Sequence, residues 1–217
     1  MIPVLLPGDP FPSTQLALRE PNGLLALGGD LSADTLTIAY SKGIFPWYEE
    51  SQPIMWWSPT PRCVLQQRDI KISRSLKRTL KKETFTVTIN TAFSDVINQC
   101  GTRRSESIGT WLHHDMIKAY KHLHDLNICH SIEAWKENKL VGGLYGVLLN
   151  NVFFGESMFS LVSDASKVAL VKLCEWLLSI NVRLIDCQVE SDHLLSMGAH
   201  LVTRDQFEQL LDKNITI

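Results

Sequence analysis

Apolar and polar positions change rhythm several times along the chain, and each rhythm predicts an element. LSADTLTIAYSKG has helical spacing: Ser32 caps it, Leu36, Ala39 and Tyr40 share a face, and Gly43 supplies a left-handed end. The segment DIKISRSLKRTLKK is anchored by Leu76 and Leu80 and turns its cations to one surface. TFTVTIN alternates as a strand, with Phe85, Val87 and Ile89 on one side. Phe93, Val96, Ile97 and Cys100 then follow helical spacing, TRRSESIGTW is polar and loop-like, and HDMIKAYKHLHDLN turns Met116, Ile117, Tyr120 and Leu123 inward.

Strand patterns follow in quick succession. ICHSIEAWK turns at Glu137-Asn138, LVGGLYGVLL turns at Asn150-Asn151, and VFFGESMFS closes the group, so the spacing predicts an antiparallel meander. SDASKVALVKLCEWLLSIN is the strongest helix pattern, capped by Ser163 or Asp164, with Leu170, Leu173, Cys174 and Leu177 as its buried stripe. RLIDCQV is a strand. A short helix near His193, a small strand HLVT and a helix with a Thr203–Gln206 capping box complete the pattern. Ahead of all this, the stretch to about Pro61 is rich in Pro, Gly and Trp. IFPWYEESQPIMWWSPTPRC is too proline-rich for an ordinary core strand and reads as a rigid aromatic wall. The expected fold is therefore a mixed α/β (α+β) layered domain over 61–217 with a small proline- and tryptophan-rich N-terminal domain over 1–60.

Composition narrows the function. The chain has 217 residues, 45% hydrophobic and 20% charged, enough for a real core. A net charge of −2 argues against nonspecific nucleic-acid binding, so a polyanion would need a local basic patch. The five cysteines form no CxxC pair, which fits a reducing cytoplasm. The opening MIPVLLPGDPFPS lacks a basic leader, so neither a signal peptide nor a membrane helix is expected.

Two strands offer chemistry. In VFFGESMFS, alternation puts Phe154, Glu156 and Met158 on one face and Phe153, Gly155 and Ser157 on the other. A carboxylate among aromatics is costly to bury without a partner or a job. In RLIDCQV, Asp186 and Gln188 share a face, with Ile185, Cys187 and Val189 opposite, and the acid can accept from the amide nitrogen. If the strands are neighbours, Glu156, Asp186 and Gln188 line one cleft, as a catalytic group or as a hydrogen-bond network at a sheet end. Other schemes are weaker. His130 and Ser131 face opposite ways, His113, His114, His122 and His124 lie near a polar helix face, and Gly142, Gly143 and Gly146 do not have phosphate-loop spacing.

EPNGLLALGGDLS, AYSKGIFPWY, IMWWSPTPR, GTW, HSIEAW, LVGGLYGV, FFGESMFS, ASK and LIDCQV, in that order from Glu20 to Val189, together resemble the leucyl/phenylalanyl-tRNA–protein transferase family. The resemblance implies transfer of Leu or Phe from aminoacyl-tRNA to proteins beginning with Arg or Lys, as a tag in the bacterial N-end rule. It also implies an acetyltransferase-like (GNAT) C-terminal domain and no metal or separate cofactor. Proposals for the family give proton acceptance to Asp186 acting through Gln188. An ordinary Asp, near about 3.9, is a weak base, and an orienting role for Asp186 is the expectation here. Glu156 is expected to hold an ammonium or another cation. Leu144, Phe153, Leu173 and Leu177 are candidates for the donor side-chain pocket, and Trp47 and Trp111 for stacking on the terminal adenine. Arg74, Lys77, Arg78, Lys81 and Lys82 are candidates for the tRNA backbone. No helix shows a spare apolar face, so a monomer is expected. The alternatives are an N-acetyltransferase using acetyl-CoA, whose pyrophosphate loop is absent from LVSDASK, and a non-catalytic tRNA- or peptide-binding module.

Overall fold

A computed structural model describes residues 1–105 and 112–215. The N-terminal segment builds a small sheet. β1 (Val4–Leu5) lies parallel to β2 (Leu24–Gly28). α1 (Ala33–Ser41) follows, its first turn closed by the Thr35 N–H donating to Ser32 Oγ. It stops where Gly43 takes a φ of 70°, a conformation open to glycine without strain. β3 (Phe45–Pro46) and β4 (Met55–Trp57) then complete the order β1-β2-β4-β3. The aromatic wall thus does contain strands, but only two and three residues long, because proline cannot extend a ladder.

The main sheet begins at β5 (Arg62–Gln66). The sequence pattern gave no strand there: an apolar run of Cys63, Val64 and Leu65 follows a proline-rich stretch and has no alternation. α2 (Arg74–Lys81), β6 (Thr86–Ile89), α3 (Phe93–Ser105) and α4 (His114–Asp125) come next. α3 continues through Thr102 to Ser105, into the segment read as loop. β7 (Cys129–Lys136), β8 (Lys139–Leu149) and β9 (Val152–Ser160) form the expected meander. Its first turn has positive φ at both Glu137 and Asn138, the primed geometry that matches strand twist.

α5 (Ala165–Ser179) returns the chain to β10 (Leu184–Gln188), which lies parallel to β9. α6 (Asp192–Ser196), β11 (His200–Val202) and α7 (Arg204–Asn214) close the chain, and α7 carries the expected capping box. The sheet order is β11-β5-β10-β9-β8-β7-β6, and β9–β10 is its one parallel step. Asp164 precedes α5 in a left-handed conformation and does not cap it. Its carboxylate accepts from Thr79 on α2 instead, tying the two helices together.

Side chains alternate between two cores across this sheet. One core packs α1, α3, α4 and α7 through Leu36, Val96, Leu123 and Phe207 against Val64, Val147, Phe154 and Leu184. The other packs α5 and Leu76 of α2 against Cys63, Leu144, Phe153 and Ile185. None of the described helices is long and apolar enough to cross a membrane.

Close approach of the backbone leaves no room for a side chain at Gly146. A Cβ on Gly146 would lie 2.2 Å from the Phe154 carbonyl oxygen and 2.6 Å from the Phe153 ring, whereas one on Gly155 meets only the Asp186 carbonyl oxygen at 3.5 Å. Gly146→Ala is therefore expected to cost about 1–3 kcal/mol by overpacking, and Gly155→Ala to stay within about 0.5 kcal/mol. Urea denaturation of the two variants side by side tests this, and equal midpoints would contradict it.

Candidate active site

Two bulges, one on each of the strands that meet at the parallel step but each in that strand's antiparallel ladder, build the site. On β9, Tyr145 pairs with Ser157 and Gly146 with Gly155, so Glu156 is an extra residue with no partner across the ladder. The bulge breaks the simple alternation expected from the sequence. Phe154 belongs to the core under α3 and α4, and Glu156 bonds to Tyr120 of α4 on that same side. Met158 has crossed to the α5 side with Phe153 and Leu144.

On β10, Asp186 pairs with Val64 and Gln188 with Cys63, leaving Cys187 as the extra residue. Gln188 takes a φ of 61°, strained for a side chain of its kind. Val189 lies beyond the strand and is exposed, so it does not share a buried face with Ile185 as expected. Asp186 holds the bend. Its Oδ1 accepts the Gln188 backbone N–H at 2.9 Å and Arg62 Nε at 2.9 Å, and its Oδ2 accepts Arg62 Nη2 at 2.7 Å. This two-pronged pair is fully buried. The Arg62 guanidinium also lies 4.8 Å from the centre of the Phe45 ring and 4.7 Å from that of Phe207.

The expected bond from the Gln188 side-chain amide to Asp186 is therefore not made. Gln188 Nε2 donates instead to Glu156 Oε1 at 2.7 Å. Glu156 Oε2 accepts the Tyr120 hydroxyl at 2.7 Å, and that hydroxyl meets the Tyr40 hydroxyl at 2.6 Å. Burial pushes the Glu156 carboxyl up to about 7, with the nearby Asp186 charge adding to the rise and the Tyr120, Tyr40 and Gln188 hydrogen bonds opposing it. Burial, and then the Glu156 charge, push both phenols well above their ordinary range, so they remain hydroxyl donors at neutral pH.

A cleft of about 490 Å³ opens over this group. Leu144, Phe153, Met158, Leu170, Leu173 and Ile185 make its apolar lining, Glu156, Gln188 and Glu190 contribute polar groups, and Trp47 adds an exposed ring. Of the candidate pocket residues, Leu144, Phe153 and Leu173 line the cleft. Leu177 does not: it is wholly buried in the core beneath α5. Asp186 is sealed below the cleft rather than lining it. Trp47 packs beside Trp57 with ring centres 5.6 Å apart, and Trp111 lies outside the described residues.

Arg74, Lys77, Arg78 and Lys81 project from α2 within one third of a turn, Lys82 follows at the helix end, and all five are exposed. Of the histidines expected on a polar helix face, His114 and His122 are exposed, while His113 and His124 are packed against aromatic rings. His113 is buried edge-on to Tyr48, and His124 stacks on Phe93 with ring centres 4.2 Å apart. Among the described residues, no three His, Cys, Asp or Glu side chains gather as metal ligands.

Sequence reasoning missed Arg62, Tyr40 and Tyr120 as site residues. The available signal was their position. Both tyrosines fall on buried helical stripes, where a hydroxyl must find a partner, and a buried Asp186 requires a cation.

Comparison with known sequences identifies the family. Residues 64–212 match the family described as leucyl/phenylalanyl-tRNA protein transferase, and residues 29–60 match that family's N-terminal domain. A leucyl/phenylalanyl-tRNA–protein transferase of Alcanivorax borkumensis is 51% identical over 98% of this chain and 88% of its own. One from Syntrophobacter fumaroxidans is 54% identical over 94% and 87%. Among solved structures, a GCN5-related N-acetyltransferase from Kribbella flavida is a remote likeness, with 7% identity, a TM-score of 0.41, and coverage of 77% of this chain and 60% of its own.

The buried pair yields a stability test. Arg62→Met leaves the Asp186 charge buried and unmatched, with an expected loss of about 3–5 kcal/mol. Adding Asp186→Leu to Arg62→Met should recover much of that loss. Urea denaturation reads both values, and a single variant as stable as the parent would refute the pairing.

Proposed function

This chain belongs to the leucyl/phenylalanyl-tRNA protein transferase family, and we propose how its cleft divides the work of transfer. The enzyme is an aminoacyltransferase that moves a leucyl or phenylalanyl group from tRNA to protein. The acceptors, in our reading, are proteins beginning with Arg or Lys, which the added residue marks for N-end rule degradation.

The donor's Leu or Phe side chain occupies the apolar lining of Leu144, Phe153, Met158, Leu170, Leu173 and Ile185. A cleft of about 490 Å³ has room for it and for the reacting ends of both substrates. Trp47 stacks on the terminal adenine, a contact worth about 1–3 kcal/mol. The α2 cations meet phosphates of the acceptor stem. Five exposed cations on one ridge of a chain with net charge −2 support that reading.

The observation that carries the mechanism is the Glu156 carboxyl, buried, bonded by Gln188 and Tyr120, and pushed up to about 7. The attacking α-amine has an ordinary pKa of about 7.7–8. An acid near 7 is well matched to take its proton, while one near 4 is not. As the amine nitrogen bonds to the ester carbonyl carbon, Glu156 accepts the surplus proton. It returns that proton as the bond to the ribose oxygen breaks, so the hydroxyl leaves neutral. Gln188 gives its amide nitrogen to Glu156, which leaves its carbonyl oxygen to hold the amine. Asp186 is a positioning residue: with Arg62 it fixes the Gln188 backbone. It is wholly buried and does not line the cleft, so a substrate amine does not reach it, which argues against direct proton acceptance.

Two measurements test this. With saturating substrates, Glu156→Gln should lower kcat by about 10²-fold or more. In the parent, kcat should rise with pH through about 7 as Glu156 deprotonates; the variant should lose that limb, and an unchanged profile would remove Glu156 from proton transfer. Separately, log Kd for tRNA should change steeply with log salt, and Arg78→Ser with Lys81→Ser should reduce the slope by about 1.5. A flat salt dependence in the parent would remove α2 from the tRNA site.

A further inference from the structure

The reaction needs two substrate side chains housed at one centre, and the apolar lining accounts for only the donor's. Two carboxylates line the cleft among the described residues, Glu156 and Glu190. Glu156 has both oxygens engaged, by Gln188 and by Tyr120, and it borders the reacting atoms. Half protonated near pH 7, it is a poor permanent seat for a guanidinium. Asp186 is sealed beneath the cleft and saturated by Arg62.

Glu190 is the opposite case. It is exposed, it lines the cleft, and it makes no hydrogen bond or ion pair among the described residues. It follows Gln188 by two residues, so their α-carbons lie no more than about 7 Å apart, with a bend at Val189 between them. A Lys or Arg side chain is long enough to cover that separation from its α-carbon to its charged head. His193 lines the same stretch, and burial holds its pKa below the ordinary value, so it stays uncharged there and does not compete as a cation.

We infer that Glu190 determines acceptor specificity: with the acceptor's amine held at Gln188, the Glu190 carboxylate pairs with the guanidinium or ammonium of the acceptor's first side chain. This rests on the reading that acceptors begin with Arg or Lys, and it names the residue that reads them. The Glu190 side chain takes no part in bond making, so its loss acts on acceptor binding alone.

The test is transfer of labelled Phe from Phe-tRNA to peptides identical except for a first residue of Arg, Ala or Glu. Glu190→Gln should raise KM for the Arg peptide about fivefold, the scale of a partly exposed charge pair. It should leave KM for Phe-tRNA and kcat unchanged. Glu190→Arg should cut kcat/KM for the Arg peptide more than tenfold and make the Glu peptide a measurable acceptor. If the parent uses Arg and Ala peptides equally, the basic-acceptor reading is wrong and this inference goes with it. If the parent prefers Arg and both variants keep that preference undiminished, only the assignment to Glu190 is overturned. A kcat loss without a KM change would also overturn it.

Discussion

The buried pairing of Arg62 with Asp186 is the constraint on which the site's geometry depends. Both charges are removed from water, so the pair gains little net stability and each partner is costly without the other. What it gives is position. The guanidinium lies against Phe45 of the small N-terminal sheet and Phe207 of the C-terminal helix, while its fork grips a residue of β10. Three distant parts of the chain thus meet at one side chain. The remaining capacity of Asp186 goes to the Gln188 N–H, which holds Gln188 in the left-handed turn that lifts its amide toward Glu156.

The cleft separates two kinds of work by placing them on different sides of the same sheet. The α5 side supplies Leu144, Phe153 and Met158, whose apolar surface suits a Leu or Phe side chain. The α4 side supplies Tyr120 and, through it, Tyr40, which keep the bulged carboxylate hydrogen-bonded without satisfying it as water would. A regular β9 would have put Glu156 opposite a ladder partner. The extra residue is what lets one short strand serve an apolar pocket and a titrating acid together.

Much of this was legible in the sequence, for identifiable reasons. Local rules decide the meander turns at Glu137-Asn138, the Ser32 cap and the Thr203–Gln206 capping box, and those hold. The motif resemblance reached the correct family, and reading the two chemistry-bearing strands as neighbours brought Glu156, Asp186 and Gln188 together. What escaped were properties of strand pairing. Period-two reasoning assigns faces on the assumption of an unbroken ladder, so it misplaced Met158 and misread which group the Gln188 amide serves. β5 was missed because a central strand buried on both faces shows no alternation, and Arg62 was missed with it. Leu177 follows the same helical stripe as Leu173, and spacing alone cannot distinguish a cavity wall from the core one turn behind it.

The paired phenols give the site a sense of direction. Each hydroxyl has a single hydrogen to offer. With Tyr120 donating to Glu156, its oxygen is left as an acceptor, so Tyr40 must point its own hydrogen toward Tyr120. The row is therefore a head-to-tail line of dipoles whose common sense is set by the charge at its end. Each time the carboxylate gains a proton, the reason for that alignment weakens along the whole row. The orientation of one hydrogen on the first helix thus registers the charge state of a group far along the chain, on the ninth strand.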